Sequence, residues 1–139
     1  MRKLGGILSV TSLGLLTGGM LLFPIMTMLV FTRLPMDIAK PFMRGCFPVY
    51  YAFMLVFSVL SGVGFALRGK AQAAMGLFIV SLTTLWLWFW LIPYLEAARL
   101  GENCIAFKRG HMLSVCIDGI EFVFLLALLI RESLLSARA

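Results

Sequence analysis

The sequence predicts an all-α integral membrane protein, a bundle of four transmembrane helices with both termini on the same side. Three observations carry that reading. Of the 139 residues, 62% are hydrophobic and only 13% are charged, about half the charged share of an ordinary globular domain. The stretches 4–32, 45–67 and 71–95 contain no Lys, Arg, Asp, Glu or His, and each is long enough to cross a bilayer, which takes roughly 20 apolar residues. A fourth stretch, 112–130, is equally apolar except for two acids. A mean hydropathy of +1.03 leaves too little polar material to wrap a soluble core. Disordered and nucleic-acid-coating chains have the opposite balance and are excluded as well.

The spans follow in order as 4–32, 46–67, 71–95 and 112–130, making residues 1–139 a single domain. Met1-Arg2-Lys3 resembles the basic start of a signal peptide, but the apolar run behind it is too long and lacks a small-x-small cleavage site. It is expected to remain as the first helix, kinked late in its course by Pro24. Pro35 and Pro41 place a loop at 33–44, and Pro48 fits the first turn of a second helix starting near Cys46, where a missing N–H matters least. Arg68-Gly69-Lys70 is a very short turn. The third span ends at Pro93 and Tyr94, after Trp86-Leu87-Trp88-Phe89-Trp90. Trp86, Trp88, Trp90 and Tyr94 read as an interfacial belt, where an apolar ring and a polar N–H or O–H are both satisfied.

The fourth span must be justified by energy. Asp118 and Glu121 each oppose insertion by about 2.5–3.5 kcal/mol, while each large apolar residue returns about 0.3–0.6 kcal/mol, so the sum is near zero. Such a helix crosses only if its acids face other helices, water or a ligand. The net charge of +6 comes from Lys and Arg in the gaps between spans, where they serve as headgroup anchors. Arg2, Lys3, Arg68, Lys70, Arg131 and Arg138 fall on the terminal side, and Arg33, Lys40, Arg44, Arg99, Lys108 and Arg109 on the other. The positive-inside rule is therefore tied.

Small residues mark faces where helices can approach closely. Gly14 and Gly18 lie four apart on the first helix, after Gly5 and Ser9, and Ser58 and Gly62 share that spacing on the second. Such seams serve packing within the chain or docking against another membrane subunit. On the fourth helix, His111, Ser114, Asp118, Glu121 and Leu125 recur at steps of three and four and form one polar stripe. Helices one to three offer these acids no Lys, Arg or His. Two solutions remain. Uncharged acids could hydrogen-bond to Ser58, Ser61, Ser81, Thr83, Thr84 or a Tyr as polar glue, or the acids could line a hydrated cavity that handles a proton, a cation or a cationic solute, with His111 at its mouth.

No cofactor or metal is expected. Nine Met, three Cys and one His are soft ligands of the kind that hold copper(I), and His111 alone could be an axial ligand to a haem or a pigment. Met and free Cys in apolar spans ordinarily serve packing. Cys46, Cys104 and Cys116 form no CxxC pair and no disulfide framework. Without a P-loop, GxGxxG, GxSxG or HExxH, the chain carries none of the common enzyme signatures, and no catalytic residues are assigned. The expected partners are the lipid bilayer and other membrane subunits or a second copy, and no nucleic acid.

The run Phe23-Pro24 through Phe31, then Leu34-Pro35, Phe47-Pro48 and Tyr50, together with Ile92-Pro93-Tyr94, Arg99, Phe107-Lys108-Arg109-Gly110-His111 and Ser114, resembles the transmembrane-protein-205-like family of small four-helix membrane proteins. The likeness covers most of the chain. It departs from that pattern at Thr17-Gly18-Gly19, where the family places a Trp beside the glycine, and at Asp118, where it places Asn. The resemblance implies a four-helix membrane fold and a role associated with resistance to drugs or toxic compounds, with no defined substrate. Function is expected to be that of an accessory or structural subunit of a larger membrane assembly, or that of a proton- or cation-coupled small-solute carrier.

Overall fold

A computed structural model describes residues 2–136, with side-chain surroundings for residues 3–135. Two of the positive charges counted above, those of the Arg2 side chain and Arg138, lie outside that description, as does Met1 of the basic start. The chain is helical almost throughout: α1 (Arg2–Arg33), α2 (Met36–Leu67), α3 (Ala71–Trp86), a π-helical turn (Leu87–Leu91), α4 (Ile92–Leu100) and α5 (Cys104–Ser136). The π-turn joins α3 to α4, so four helical rods result, each long and apolar enough to cross a membrane. No strand occurs among the described residues.

The rods are longer than the apolar runs. At 1.5 Å per residue, α1, α2 and α5 each extend about 48–50 Å, beyond the roughly 30 Å hydrocarbon core. The loop expected at 33–44 and the gap left between the spans 71–95 and 112–130 shrink to residues 34–35 and 101–103, because the charged stretches on either side continue the helices beyond the apolar runs. Met36, not Cys46, opens α2, with Pro35 at its N-cap and Pro41 and Pro48 inside the helix. The i,i+3 pair of Arg99 with Glu96 (2.7 Å) supports the end of α4, and Asn103 caps α5 by accepting the Ala106 N–H (3.0 Å).

Pro93 does not end the third span. Ahead of it the backbone widens, and the Ile92 N–H bonds to the Leu87 carbonyl, which makes room for a proline ring that would strike a preceding carbonyl in a regular helix. On the outer side, Trp86, Trp90 and Tyr94 stack in succession, with centroids 5.2 and 5.8 Å apart, and all three are exposed. Trp88 leaves this ladder and packs against the core.

The rods form a ring in which α1 neighbours α2, α2 neighbours α3, and α5 closes onto α1 and onto α4 with the π-turn. Lipid does not drive helices together as water does, so close backbone approach and interhelical hydrogen bonds carry the association. Between α1 and α2, the close seam is Gly5 and Ser9 against Ser61 and Gly64: the Ser61 hydroxyl donates to the Ser9 carbonyl (3.1 Å). A Cβ on Gly64 would lie 2.5 Å from the Ser9 nitrogen. Between α2 and α3, Ser58 and Ser81 share a hydrogen bond (2.8 Å), and Gly62 rests against Phe78 and Leu77. Gly14 and Gly18 do not form the close seam on α1, because a Cβ on either would meet open space.

The Arg68–Lys70 turn ends α2 with Gly69 at φ +74°, Gly69 N–H on Ala66 O and Lys70 N–H on Phe65 O, a glycine-dependent Schellman arrangement. It directs two cations at Glu132 near the end of α5. Arg68 approaches that carboxylate at 2.8 Å and Lys70 at 2.6 Å, and a second guanidinium nitrogen of Arg68 donates to the Ser9 hydroxyl (2.9 Å). Arg68 and Lys70 are thus internal clasp residues rather than simple headgroup anchors. Glu132 is only 2% exposed.

Candidate functional site

The inward stripe of α5 runs through Ser114, Asp118, Glu121, Leu125, Leu128 and Glu132. These positions alternate steps of four and three, and all are buried except Asp118, which is half-buried. His111, expected at the mouth of the stripe, is exposed, and its ring stacks on Phe107 instead (6.1 Å, 9°). Ser114 turns back on its own helix and donates to the His111 carbonyl (3.0 Å). Two acids therefore remain at the centre of α5 (Cys104–Ser136), with Glu121 about 26 Å from the N-terminal end of the helix and about 23 Å from the other.

Only one of the hydroxyls expected as partners reaches them. The Thr83 hydroxyl donates to Glu121 Oε1, yet it is also in range of the Ile79 and Val80 carbonyls, so one proton faces three acceptors. Ser58 and Ser81 bond to each other, Ser61 bonds to Ser9, and Thr84 donates to the Val80 carbonyl (2.7 Å). Asp118 Oδ1 and Glu121 Oε2 are buried without a hydrogen-bond partner among the described residues. Tyr50 and Tyr51 donate to neither acid; they belong to an aromatic cluster where Phe23 stacks on Tyr50 at 4.0 Å and Tyr50 meets Tyr51 edge-on at 5.4 Å.

The seam between α3 and α5 is loose and bridged by side chains, with the Phe124 ring over Gly76 and Thr83 on Glu121. A groove of about 440 Å³ opens there, lined by Ile79, Val80, Thr83, Ile117, Ile120 and Glu121 along with Gly76 and Phe124. Sequence reasoning located Asp118, Glu121 and Thr83 but missed both this groove and the Glu132 clasp. A signal for the clasp was present: Glu132 continues the spacing of the inward stripe by one more heptad step, in a chain with only six acids.

Among the described residues no group of three His, Cys, Asp or Glu side chains converges as a metal site. Cys46 is half-buried, while Cys104 and Cys116 are exposed on the helix surface.

Residues 11–103 match the model of a domain of unknown function, DUF4149. The matched segment holds most of α1 and all of α2, α3 and α4, while Asp118 and Glu121 on α5 lie beyond it. No curated protein and no solved structure matches the chain. With two thirds of its length covered by that one model, the chain belongs to the DUF4149 family.

Proposed function

We propose that this is a small multi-pass membrane carrier in which Asp118 and Glu121 take up a proton or a cation at the middle of the bundle. One observation carries the reading: each of the two mid-span carboxyl groups keeps one buried oxygen without a partner among the described residues, while nearby hydroxyls are engaged elsewhere. An unpaired buried polar atom costs about 1–3 kcal/mol. Structural glue would satisfy these atoms, whereas a site that must accept and release a charge leaves capacity open. The landmarks resembling the transmembrane-protein-205-like family fit such a role, and the clasp of Ser9, Arg68, Lys70 and Glu132 supports placing both termini on one side of the bilayer.

The test is proton flux into liposomes that contain the purified protein and a trapped pH-sensitive dye, driven by a potassium diffusion potential. Native protein should carry flux above that of empty liposomes, and Asp118→Asn with Glu121→Gln should abolish it while the detergent-solubilised protein elutes at the native position. Flux that persists in the double variant contradicts the reading, as does native protein no more active than empty liposomes.

A second reading, an accessory subunit of a larger membrane assembly, is favoured by the open space over Gly14 and Gly18, a flat stretch of α1 that another helix could cover. Purification in mild detergent should then retain a stoichiometric partner, and a chain that migrates alone argues against it.

A further inference from the structure

We propose that the groove between α3 and α5 binds an apolar molecule bearing a single protonated amine, entering from the lipid side and placing its N–H on Glu121. The assignment rests on the carrier reading and names its substrate class. At about 440 Å³ the groove falls within the roughly 300–1,000 Å³ typical of small-molecule sites. Its walls are Ile, Val and Phe with one glycine, and the only polar side chains in its lining are Thr83 and Glu121. The ligand must therefore be apolar over nearly its whole surface, with one polar group.

The identity of that group follows from Glu121. Its side chain is 6% exposed, its Oε1 accepts from Thr83, and Oε2 has no partner among the described residues. A carboxylate oxygen in that situation requires a hydrogen-bond donor, and in an apolar groove a positively charged donor is favoured most. The described residues supply none. Spans 45–67 and 71–95 contain no Lys, Arg or His, and the nearest basic residues along α5, Arg131 and Arg109, are about 15 and 18 Å away along the helix. A phospholipid acyl chain could fill the apolar walls but brings no donor to this depth.

Access is lateral. Ile79 and Ile120 on the rim are 56% and 71% exposed, so the groove opens on the outer surface of the bundle, the side a surrounding bilayer would cover. A molecule already dissolved in the bilayer reaches Glu121 without passing through the headgroup region.

The experiment is equilibrium dialysis of radiolabelled decylamine against the full chain in phosphatidylcholine nanodiscs, with empty nanodiscs subtracted. Decyltrimethylammonium, which has charge but no donor, and decanol, which has a donor but no charge, are the comparisons. Decylamine should bind most tightly. Glu121→Gln should weaken it about ten- to a hundredfold, the worth of one charge-assisted hydrogen bond. Ile120→Trp, at a lipid-facing position that the fold does not depend on, should block binding by filling the groove while the carboxyl stays in place. Equal binding of decanol and decylamine, or decylamine binding unaffected by both substitutions, overturns the assignment. Failure of the two readings is distinguishable: amine binding with flux indifferent to the acids ends the carrier reading alone, and acid-dependent flux without amine binding ends this inference alone.

Discussion

Gly64→Ala is the sharpest test of how α1 and α2 are held together. The new Cβ would lie 2.5 Å from the Ser9 nitrogen and 2.8 Å from its Cα, against about 3.5–4.0 Å for an ordinary contact between carbons. The obstacle is backbone, so no rotamer change relieves it, and α1 must retreat by about 1 Å. Overpacking of this kind costs about 1–3 kcal/mol. Straining the Ser61–Ser9 hydrogen bond adds about 0.6 kcal/mol, and alanine returns up to about 1 kcal/mol through helix propensity. The net expectation is destabilisation by about 1–2 kcal/mol. Gly14→Ala and Gly18→Ala meet nothing within 4 Å and should be neutral or stabilising by up to about 1 kcal/mol. Titration with sodium dodecyl sulfate in mixed micelles, followed by circular dichroism, reads all three. Stabilities for Gly64→Ala and Gly14→Ala within about 0.5 kcal/mol of each other would refute the packing assigned to this seam.

The same titration checks three further expectations. Glu132→Gln strips the carboxylate from between Arg68 and Lys70; loss of a buried partner costs about 3–5 kcal/mol, and with the Lys70 side chain 34% exposed the expected loss is about 2 kcal/mol. Neutralising Arg68 and Lys70 in that background should recover part of it, and native stability of Glu132→Gln alone contradicts the clasp. Thr83→Val removes the donor on Glu121 and should destabilise by about 1–3 kcal/mol; an unchanged midpoint means that Glu121 does not rely on Thr83. Glu102 sits at φ 55°, a left-handed conformation that disfavours a side chain by about 1–2 kcal/mol, so Glu102→Gly should stabilise the turn between α4 and α5, and a lower midpoint would argue against that geometry.

Three of the four helices were legible because charge-free runs of the right length leave few alternatives, and the fourth because its two acids share one face of an otherwise apolar run. Their ends were not, because the apolar run reports where hydrocarbon begins and says little about where a helix stops; Met36–Arg44 and Cys104–His111 are helical yet carry the charges that suit the headgroup zone. Proline misled in two places. Pro41 and Pro48 lie inside α2, where local adjustments in a membrane helix accommodate a lost hydrogen bond, and Pro93 is absorbed by the π-turn ahead of it. The α5 stripe was readable at Asp118 and Glu121 from their helical spacing. The shortage of partners around them was not, since it depends on Ser58 choosing Ser81 and on Ser61 choosing Ser9 across helices. Gly14 and Gly18 share the spacing of a packing motif, but spacing alone does not show which face of α1 meets α2, and the contact falls at Gly5 and Ser9.

Two native cysteines on α5 measure the depth of its acids directly. Cys104 follows the Gly101–Asn103 turn, while Cys116 lies about 18 Å further along the helix, five residues before Glu121, and both are exposed on the protein surface. In permeabilised proteoliposomes of a Cys46→Ser variant, a bulky membrane-impermeant maleimide should modify Cys104 and leave Cys116 unmodified until detergent is added. Modification of Cys116 at the rate of Cys104 would place the centre of α5 in water and contradict a carboxyl pair embedded at mid-membrane.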